Sequence, residues 1–141
     1  MSALELLEAG PGDADEVLRF WATAGADPST TDDREGVTGV LAHPTATLLL
    51  ARRDGVLVGT LVAACDGWRG AFYRLVVSPG ARRAGIASAL VDEGERRLRV
   101  AGCRRISILV LRDEEAAAGF WRTAGFRYDE RIHRYVKAPA R

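Results

Sequence analysis

The chain has 141 residues, a length typical of a single domain, of which 48% are apolar and 28% charged. With 20 basic and 19 acidic side chains, its net charge of +1 lacks the positive surplus that nucleic-acid binding normally requires. No apolar run approaches the roughly 20 residues that a membrane-spanning helix needs. We therefore expect one domain, residues 1–141, with neither nucleic acid nor a membrane as a partner.

The N-terminal residues predict a strand followed by two helices. LELL forms a short strand, and Asp13 caps a helix that starts after the turn PGD. A second helix covers residues 31–42, with Pro44 shortly after its end. The residues expected to face the core are Val17, Leu18, Trp21 and Ala24 in the first helix, and Val37, Val40 and Leu41 in the second.

The middle of the chain predicts an antiparallel meander of three strands. Asp54 and Gly55 separate two strand-like runs, TATLLLARR and VLVGTLVAAC, and suit a two-residue type I′ turn. A second Asp-Gly pair, at residues 66–67, precedes the run AFYRLVVS. These three runs are predicted as the second, third and fourth strands of the sheet.

The rest of the chain predicts a helix, a strand, another helix and a final strand. The first of these helices covers about residues 85–101, with Ile86, Leu90 and Leu98 on its buried side. RISILVL, residues 105–111, is apolar on both faces, so we expect a strand inside the sheet, parallel to the fourth strand. EEAAAGFWRTAG predicts the second helix, and FRYDERIHRYVK the final strand.

The stretch SPGARRAGIAS combines a turn, two arginines and unusually small side chains before a long helix. The first N–H groups of a helix have no intrahelical partner, and the helix dipole makes that end positive. Small residues allow an anion to reach these N–H groups, while Arg82 and Arg83 add positive charge. An anion site is one interpretation, and an ordinary alanine-rich helix start is the other. Neither the Walker pattern nor GxGxxG is present.

The same stretch resembles motif A of the GNAT superfamily of acyl-CoA-dependent N-acetyltransferases. The matching order is V-x-P-x-x-R-x-x-G-[IL]-[AG], carried by Val77, Pro79, Arg82, Gly85, Ile86 and Ala87. GVLVGTLV before it, RISILVL after it and AAAGFWRTAGF lie at the usual distances, so the resemblance covers about residues 46–128. It implies an α+β (α/β mixed) fold: a mostly antiparallel sheet, flanked by helices, whose parallel fourth and fifth strands splay apart for the cofactor.

The resemblance also implies where acetyl-CoA binds as a co-substrate. Backbone N–H groups from Arg82 to Ser88 would hold its pyrophosphate, and the fourth strand's edge would pair with its pantetheine arm. The cofactor-binding residues carried over in this way are Leu75, Val76, Val77, Arg82, Arg83, Ala84, Gly85, Ile86, Ala87 and Ser88. No metal is implied, and His43 and His133 are too isolated to suggest one.

Two further positions of the resemblance depart from the usual pattern. Trp121 occupies the place where many relatives have a tyrosine that protonates the leaving thiolate, and an indole cannot do this. Its alternative roles are packing in the core and packing against the cofactor. Glu114 takes the place of an asparagine that contacts the pantetheine arm, although a carboxylate at a helix start is also explained by the dipole.

Catalytic residues are harder to assign. Tyr73 lies on the fourth strand near the place where relatives often carry a glutamate, so it is our candidate for proton transfer, with packing as the alternative. Cys65 has no histidine placed beside it by any pattern, so an acyl-enzyme is not expected. A thiol with a pKa of about 8.5 leaves without much help, so the missing tyrosine need not abolish activity.

The predicted function is direct transfer of an acetyl group from acetyl-CoA to an amine, that is, a cytoplasmic N-acetyltransferase. The acidic stretch ADPSTTDDREG favours a cationic acceptor, a small amine, amino acid derivative or protein amino group, unless it is simply a solvated loop. The main alternative is a catalytically weak acyl-CoA binding or sensing module, and a second is a nucleotide-phosphate binder. By analogy with relatives, the last strand region is also expected to support a homodimer.

Overall fold

The computed structural model describes residues 3–140, which form two compact units, one up to Leu109 and one from Val110 onward. In chain order the elements of the first unit are β1 (Leu4–Glu8), a 3-10 turn (Pro11–Asp13), α1 (Ala14–Thr23), α2 (Arg34–Ala42), β2 (Ala46–Arg53), β3 (Val56–Cys65), β4 (Gly70–Val77), a second 3-10 turn (Pro79–Ala81), α3 (Ile86–Val100) and β5 (Ile106–Ser107). The second unit contains α4 (Glu115–Thr123).

The five strands form one mixed sheet in the order β1-β2-β3-β4-β5, antiparallel except for the parallel pair β4 and β5. The predicted meander is confirmed in β2, β3 and β4. Asp54 and Gly55 both have positive φ values, 53° and 76°, as a type I′ turn requires. The predicted mixed fold with a parallel fourth and fifth strand is therefore confirmed.

Helices cover both faces of the sheet in the first unit. On one face α1 and α2 bury the residues expected from their periodicity, among them Val17, Trp21 and Val37, against Leu48 and Leu50 of β2. On the other face α3 is confirmed almost to its predicted bounds, with Ile86, Leu90 and Leu98 all below 5% exposed. Burial of these two apolar layers is the main source of stability.

Close packing of α3 on the sheet depends on two glycines. A Cβ at Gly59 of β3 would lie 2.9 Å from Ile86 Cγ2, and one at Gly94 of α3 would lie 2.9 Å from Leu61 Cδ2. These distances are shorter than real Cβ contacts, so larger residues would push the helix off the sheet. The two glycines therefore set the position of the α3 N-terminus beside the end of β4, since Gly59 is the register partner of Val77.

The prediction for residues 105–111 is wrong in length and position. β5 contains only Ile106 and Ser107 and lies at the edge of the described sheet, while Leu109 is 61% exposed and Leu111 is 53% exposed. β5 pairs with β4 only at Gly70 with Ile106 and at Ala71 with Ser107, after which the two strands part. An apolar run extends as a strand only where a neighbour supplies hydrogen-bond partners.

Two other expectations also need correction. Residues 126–137, predicted as a final strand, are assigned to no strand. Asp13 precedes α1 as expected, but its Oδ2 accepts from the N–H of Gly10 at 2.7 Å instead of capping the helix. Pro11 starts a 3-10 turn there, so the carboxylate faces back along the chain. Within residues 3–140, no helix is both long and apolar enough to cross a bilayer.

Candidate functional site

The edge of β4 is the first component of the site. Register pairs join β4 to β5 only at Gly70 with Ile106 and at Ala71 with Ser107. From Phe72 to Val77, β4 has no strand beside it on that side among the described residues. The two parallel strands therefore part after two residues, which is the predicted splay. The N–H and C=O groups of an unpaired strand edge can bind an extended ligand.

The turn from β4 into α3 is the second component. Gly85 precedes α3 with a φ of 79°, a left-handed conformation that glycine adopts without strain. A Cβ added there would meet no heavy atom within 4 Å, so the space beside it is open. Within residues 3–140 no side chain caps α3, and no acceptor receives the N–H groups of Ile86, Ala87 and Ser88. A helix start of this kind is electrically positive and accessible.

Charged side chains reinforce this positive end. Arg82 and Arg83 are both exposed, and neither forms an ion pair with any described residue. Ala84 and Ser88 are also exposed, so the side chains around the turn are small or positively charged. The predicted anion-binding residues thus lie together on one accessible turn, next to the unpaired edge of β4. A ligand with a phosphate group and an extended arm fits this juxtaposition.

A bulge in β4 is a component that the sequence did not reveal. Thr60 pairs with Val76 and Val62 pairs with Tyr73, so Leu61 of β3 faces two residues of β4, Arg74 and Leu75. Arg74 has a φ of 53°, which L side chains rarely adopt. No propensity rule assigns a positive φ to an arginine inside a strand. The one available signal was Thr60, a hydroxyl inside an otherwise apolar run.

The carboxylates of the acidic stretch do not all face solvent. Asp32 forms an ion pair with Arg74, and both side chains are only 19% exposed. Burial lowers the pKa of the Arg74 guanidinium, while the nearby carboxylate of Asp27 opposes that shift. Asp33 caps α2, accepting from the N–H of Gly36 at 2.7 Å. Two of the acidic residues are therefore engaged by the chain itself.

The catalytic candidate Tyr73 lies on β4 directly before the bulge and is 51% exposed. Cys65 is buried at the end of β3, and its sulfur accepts from the N–H of Gly67 at 3.3 Å. Burial, together with the neighbouring Cys65, raises the pKa of the Cys103 thiol to about 11. A thiol with so high a pKa is protonated at neutral pH and is not a nucleophile. Both cysteines are free.

Glu114 and Trp121 belong to the second unit. Glu114 directly precedes α4, and its carbonyl accepts from the N–H of Ala118 at 3.0 Å. Trp121 is 9% exposed and packs edge to face on Phe120 and Phe126, with ring centroids 5.1 Å apart in each case. This aromatic cluster supports the packing interpretation of Trp121.

Together the fold and site define a mixed α/β protein in which an unpaired strand edge leads to an uncapped, positively charged helix start. The chain belongs to the acetyltransferase (GNAT) family, whose model matches residues 14–126. The match extends well beyond the motif in the turn, from the start of α1 at Ala14 to Phe126, three residues after the end of α4.

Solved structures share the fold at low sequence identity. The aminoglycoside N-acetyltransferase AAC(6')-Iy in complex with CoA is 19% identical, with a TM-score of 0.79 over 97% of this chain and 96% of that one. An aminoglycoside acetyltransferase from an uncultured soil metagenomic sample, in complex with sisomicin, is 15% identical, with a TM-score of 0.77 over 97% of each chain. A transcriptional regulator from Bacillus halodurans C-125 is 19% identical, with a TM-score of 0.78 over 98% of this chain and all of the other.

Proposed function

We propose that this protein is an acetyl-CoA-dependent N-acetyltransferase that transfers the acetyl group directly to an amine. The observation that carries the proposal is the unpaired edge of β4, which ends at the open start of α3. One end of this arrangement suits a pyrophosphate and the other suits an amide-containing arm. Membership of the GNAT family and a structural neighbour in complex with CoA support the same ligand.

The residues proposed to hold acetyl-CoA divide into two groups. The main-chain groups of Leu75, Val76 and Val77 would bind the pantetheine arm and polarise the thioester carbonyl. The turn and helix start would bind the pyrophosphate, through Arg82, Arg83, Ala84, Gly85, Ile86, Ala87 and Ser88. We keep Glu114 and Trp121 as proposed contacts of the arm, a role that rests on the family resemblance alone.

The thioester supplies an activated acetyl group, so the protein's main task is to orient the two reactants. The attacking nitrogen must be neutral, and an alkylamine with a pKa near 10 has to lose a proton first. Tyr73 is the proposed proton-transfer residue, because it is partly exposed on the strand whose edge would receive the thioester. A Tyr73→Phe variant with unchanged turnover at pH 7 and pH 9 would remove Tyr73 from the mechanism.

The proposed acceptor is a cationic amine. Asp27 and Glu35 lie in the acidic stretch between α1 and the first turn of α2, where their charge favours an ammonium group. Two structural neighbours are aminoglycoside acetyltransferases, and one is in complex with sisomicin, which supports polyamino acceptors as the first class to test.

A second candidate function is an acyl-CoA binding or sensing module without significant turnover. Trp121 in the place of a tyrosine favours it, and a transcriptional regulator with the same fold is consistent with it. Turnover separates the two functions, because a sensor binds acetyl-CoA without consuming it.

The remaining expectations are part of the proposal. The family match runs across both units, which supports a single transferase domain. Tyr128, Ile132, Tyr135 and Val136 are all more than 60% exposed, and this apolar surface supports a homodimer. A cytoplasmic location stays a prediction.

The deciding experiment follows release of the CoA thiol from acetyl-CoA in the presence of sisomicin, spermidine or a lysine-containing peptide. Trehalose, a sugar without an amine, is the control. We expect amine-dependent thiol release and a product heavier than the amine by one acetyl group, which replaces a hydrogen on the nitrogen. Saturable binding of acetyl-CoA without release by any amine would favour the sensing module.

A further inference from the structure

The bulge of β4 is attached to the rest of the first unit through its main chain. The carbonyl of Arg74 accepts a hydrogen bond from Oγ1 of Thr60 at 3.0 Å. Oγ1 of Thr60 in turn accepts a hydrogen bond from Nε1 of Trp21 at 2.9 Å. Thr60 is fully buried, so its hydroxyl has exchanged water for these two partners. A continuous chain of hydrogen bonds therefore runs from α1 through β3 to the bulge.

The bulge is attached a second time through the Arg74 side chain. The guanidinium lies over the ring of Trp21, 5.3 Å from its centroid, and its Nε donates to Asp32 Oδ1 at 3.1 Å. A further contact joins Arg74 Nη2 to Asp32 Oδ2, so the ion pair is bidentate. A pair of this geometry fixes direction as well as distance.

Asp32 is itself fixed within the segment between α1 and α2. Its Oδ2 accepts from the N–H of Ser29 at 3.1 Å, and its own N–H donates to the carbonyl of Ser29 at 3.0 Å. The ion pair with Arg74 therefore holds a closed turn and not a free side chain. A displacement of this turn would pull on the residue that forms the bulge.

We propose that Arg74 is a positioning residue, which holds the segment of residues 24–33 and the β4 edge at Leu75–Val77 in a fixed relation. This inference rests on the proposed function, since that edge is where the thioester would lie and the acidic segment is where the amine would bind. Arg74 touches neither reactant in this account. It sets the distance between them, and rates of bimolecular reactions in active sites depend steeply on such placement.

The consequence is a separation of binding from transfer. The proposed pyrophosphate site begins at Arg82, beyond the 3-10 turn, and does not depend on Asp32. Loss of the ion pair should therefore lower kcat far more than it lowers the affinity for CoA, because the pyrophosphate contacts remain. A residue with a merely structural role would change stability without this split between kcat and binding.

The test uses Asp32→Asn, which keeps the side-chain shape and removes the charge. Asp15→Asn is the matched control, because it breaks the Arg34–Asp15 ion pair, whose side chains are 76% and 55% exposed. Hydrogen exchange followed by mass spectrometry measures the peptide of residues 74–78, in which the N–H of Ser78 is protected by its hydrogen bond to the carbonyl of Val58 at 2.9 Å. We expect exchange in this peptide to be at least about tenfold faster in Asp32→Asn and unchanged in Asp15→Asn. Residue 32 lies far from this strand in the sequence, so the effect would have to pass through the ion pair.

The kinetic part uses the amine with the highest turnover among sisomicin, spermidine and the lysine-containing peptide. Asp32→Asn should lower kcat about tenfold, with the Kd of CoA within about twofold of the wild type, and Asp32→Glu, which keeps a carboxylate for Arg74, should recover most of the loss. Unchanged exchange and unchanged kcat in Asp32→Asn would overturn the inference. If the wild type shows no turnover, the proposed function fails and the role in transfer fails with it. The exchange result then decides separately whether Asp32 holds the bulge.

Discussion

The segment of residues 24–33 and the turn of residues 78–85 differ in how their charges are satisfied. In the first, Asp32 is paired with Arg74 and its turn is closed by two hydrogen bonds to Ser29. In the second, Arg82 and Arg83 have no ion-pair partner among the described residues, and the helix start that follows is uncapped. A charge with a partner inside the fold contributes to stability, whereas one without a partner remains available to a ligand.

This difference leads to separable effects of mutation. Changes to the paired groups around the bulge should lower the free energy of unfolding and affect CoA affinity little, because the pyrophosphate contacts remain. Changes to the open turn should weaken CoA binding beyond any loss of stability that they cause.

The largest effect is expected from Thr60→Val. The substitution keeps the shape of the side chain but leaves two buried groups, Trp21 Nε1 and the carbonyl of Arg74, without their partner. Each such group costs about 1–3 kcal/mol, so the free energy of unfolding should fall by about 2–6 kcal/mol. Urea denaturation measures this loss. Surface substitutions usually change the free energy of unfolding by less than about 0.5 kcal/mol. A change of that size in Thr60→Val would mean that the fold does not need this network.

The next effect concerns Gly85→Val, with Gly55→Val as its matched control. Both glycines have positive φ, 79° and 76°, and open space around them, so both substitutions should cost about 1–2 kcal/mol of stability. Only the side chain at residue 85 enters the proposed pyrophosphate site. We expect acetyl-CoA to bind at least about tenfold more weakly to Gly85→Val alone. Equal affinity of the two variants in calorimetry would remove the turn from the binding site.

A smaller loss is expected when the charge of the turn is removed. Arg82→Ala with Arg83→Ala should weaken acetyl-CoA binding about three- to tenfold and make it less sensitive to salt, because two exposed cations are lost. The control is Arg99→Ala with Arg104→Ala, which removes one arginine from the last turn of α3 and one after its end. If the control pair weakened binding equally, the effect would be one of net charge and not of this turn.

The smallest effect concerns a paired charge on α3 and its pH dependence. Hydrogen bonds from Arg96 and Arg97 lower the pKa of Glu93 from 4.5 to about 2. A lowered pKa in the folded state stabilises the protein above pH 4.5, and this contribution is lost as the pH falls towards 2. Glu93→Gln should lower Tm by about 2–4 °C at pH 6 and by less at pH 3. An equal shift at both pH values would contradict the assignment.

Much of the fold could be predicted because local signals agreed with the tertiary structure. The Asp54–Gly55 turn fixed the register of two strands, and the spacing of Ile86, Leu90 and Leu98 defined the buried side of α3. The positive turn was also visible in the sequence, since small residues beside two arginines are a local pattern. These features need no knowledge of distant neighbours.

The remaining features depend on contacts between distant parts of the chain. β5 pairs with β4 at only two positions before the strands part, so the strand is shorter than the apolar run RISILVL predicted. The bulge requires a positive φ at Arg74, stabilised by residues that lie 14 and 42 positions away in the sequence. No periodicity or propensity carries such information, and the pairing of Asp32 was hidden for the same reason.

Calorimetric titration of acetyl-CoA into the purified protein, with CoA and ATP as competitors, tests the central claim most directly. If the β4 edge and the open start of α3 form one acyl-CoA site, binding should be saturable, with a Kd in the micromolar range or a free energy of about −8 kcal/mol. CoA should displace acetyl-CoA, and ATP should not. Absence of binding, or equal displacement by ATP, would contradict the account.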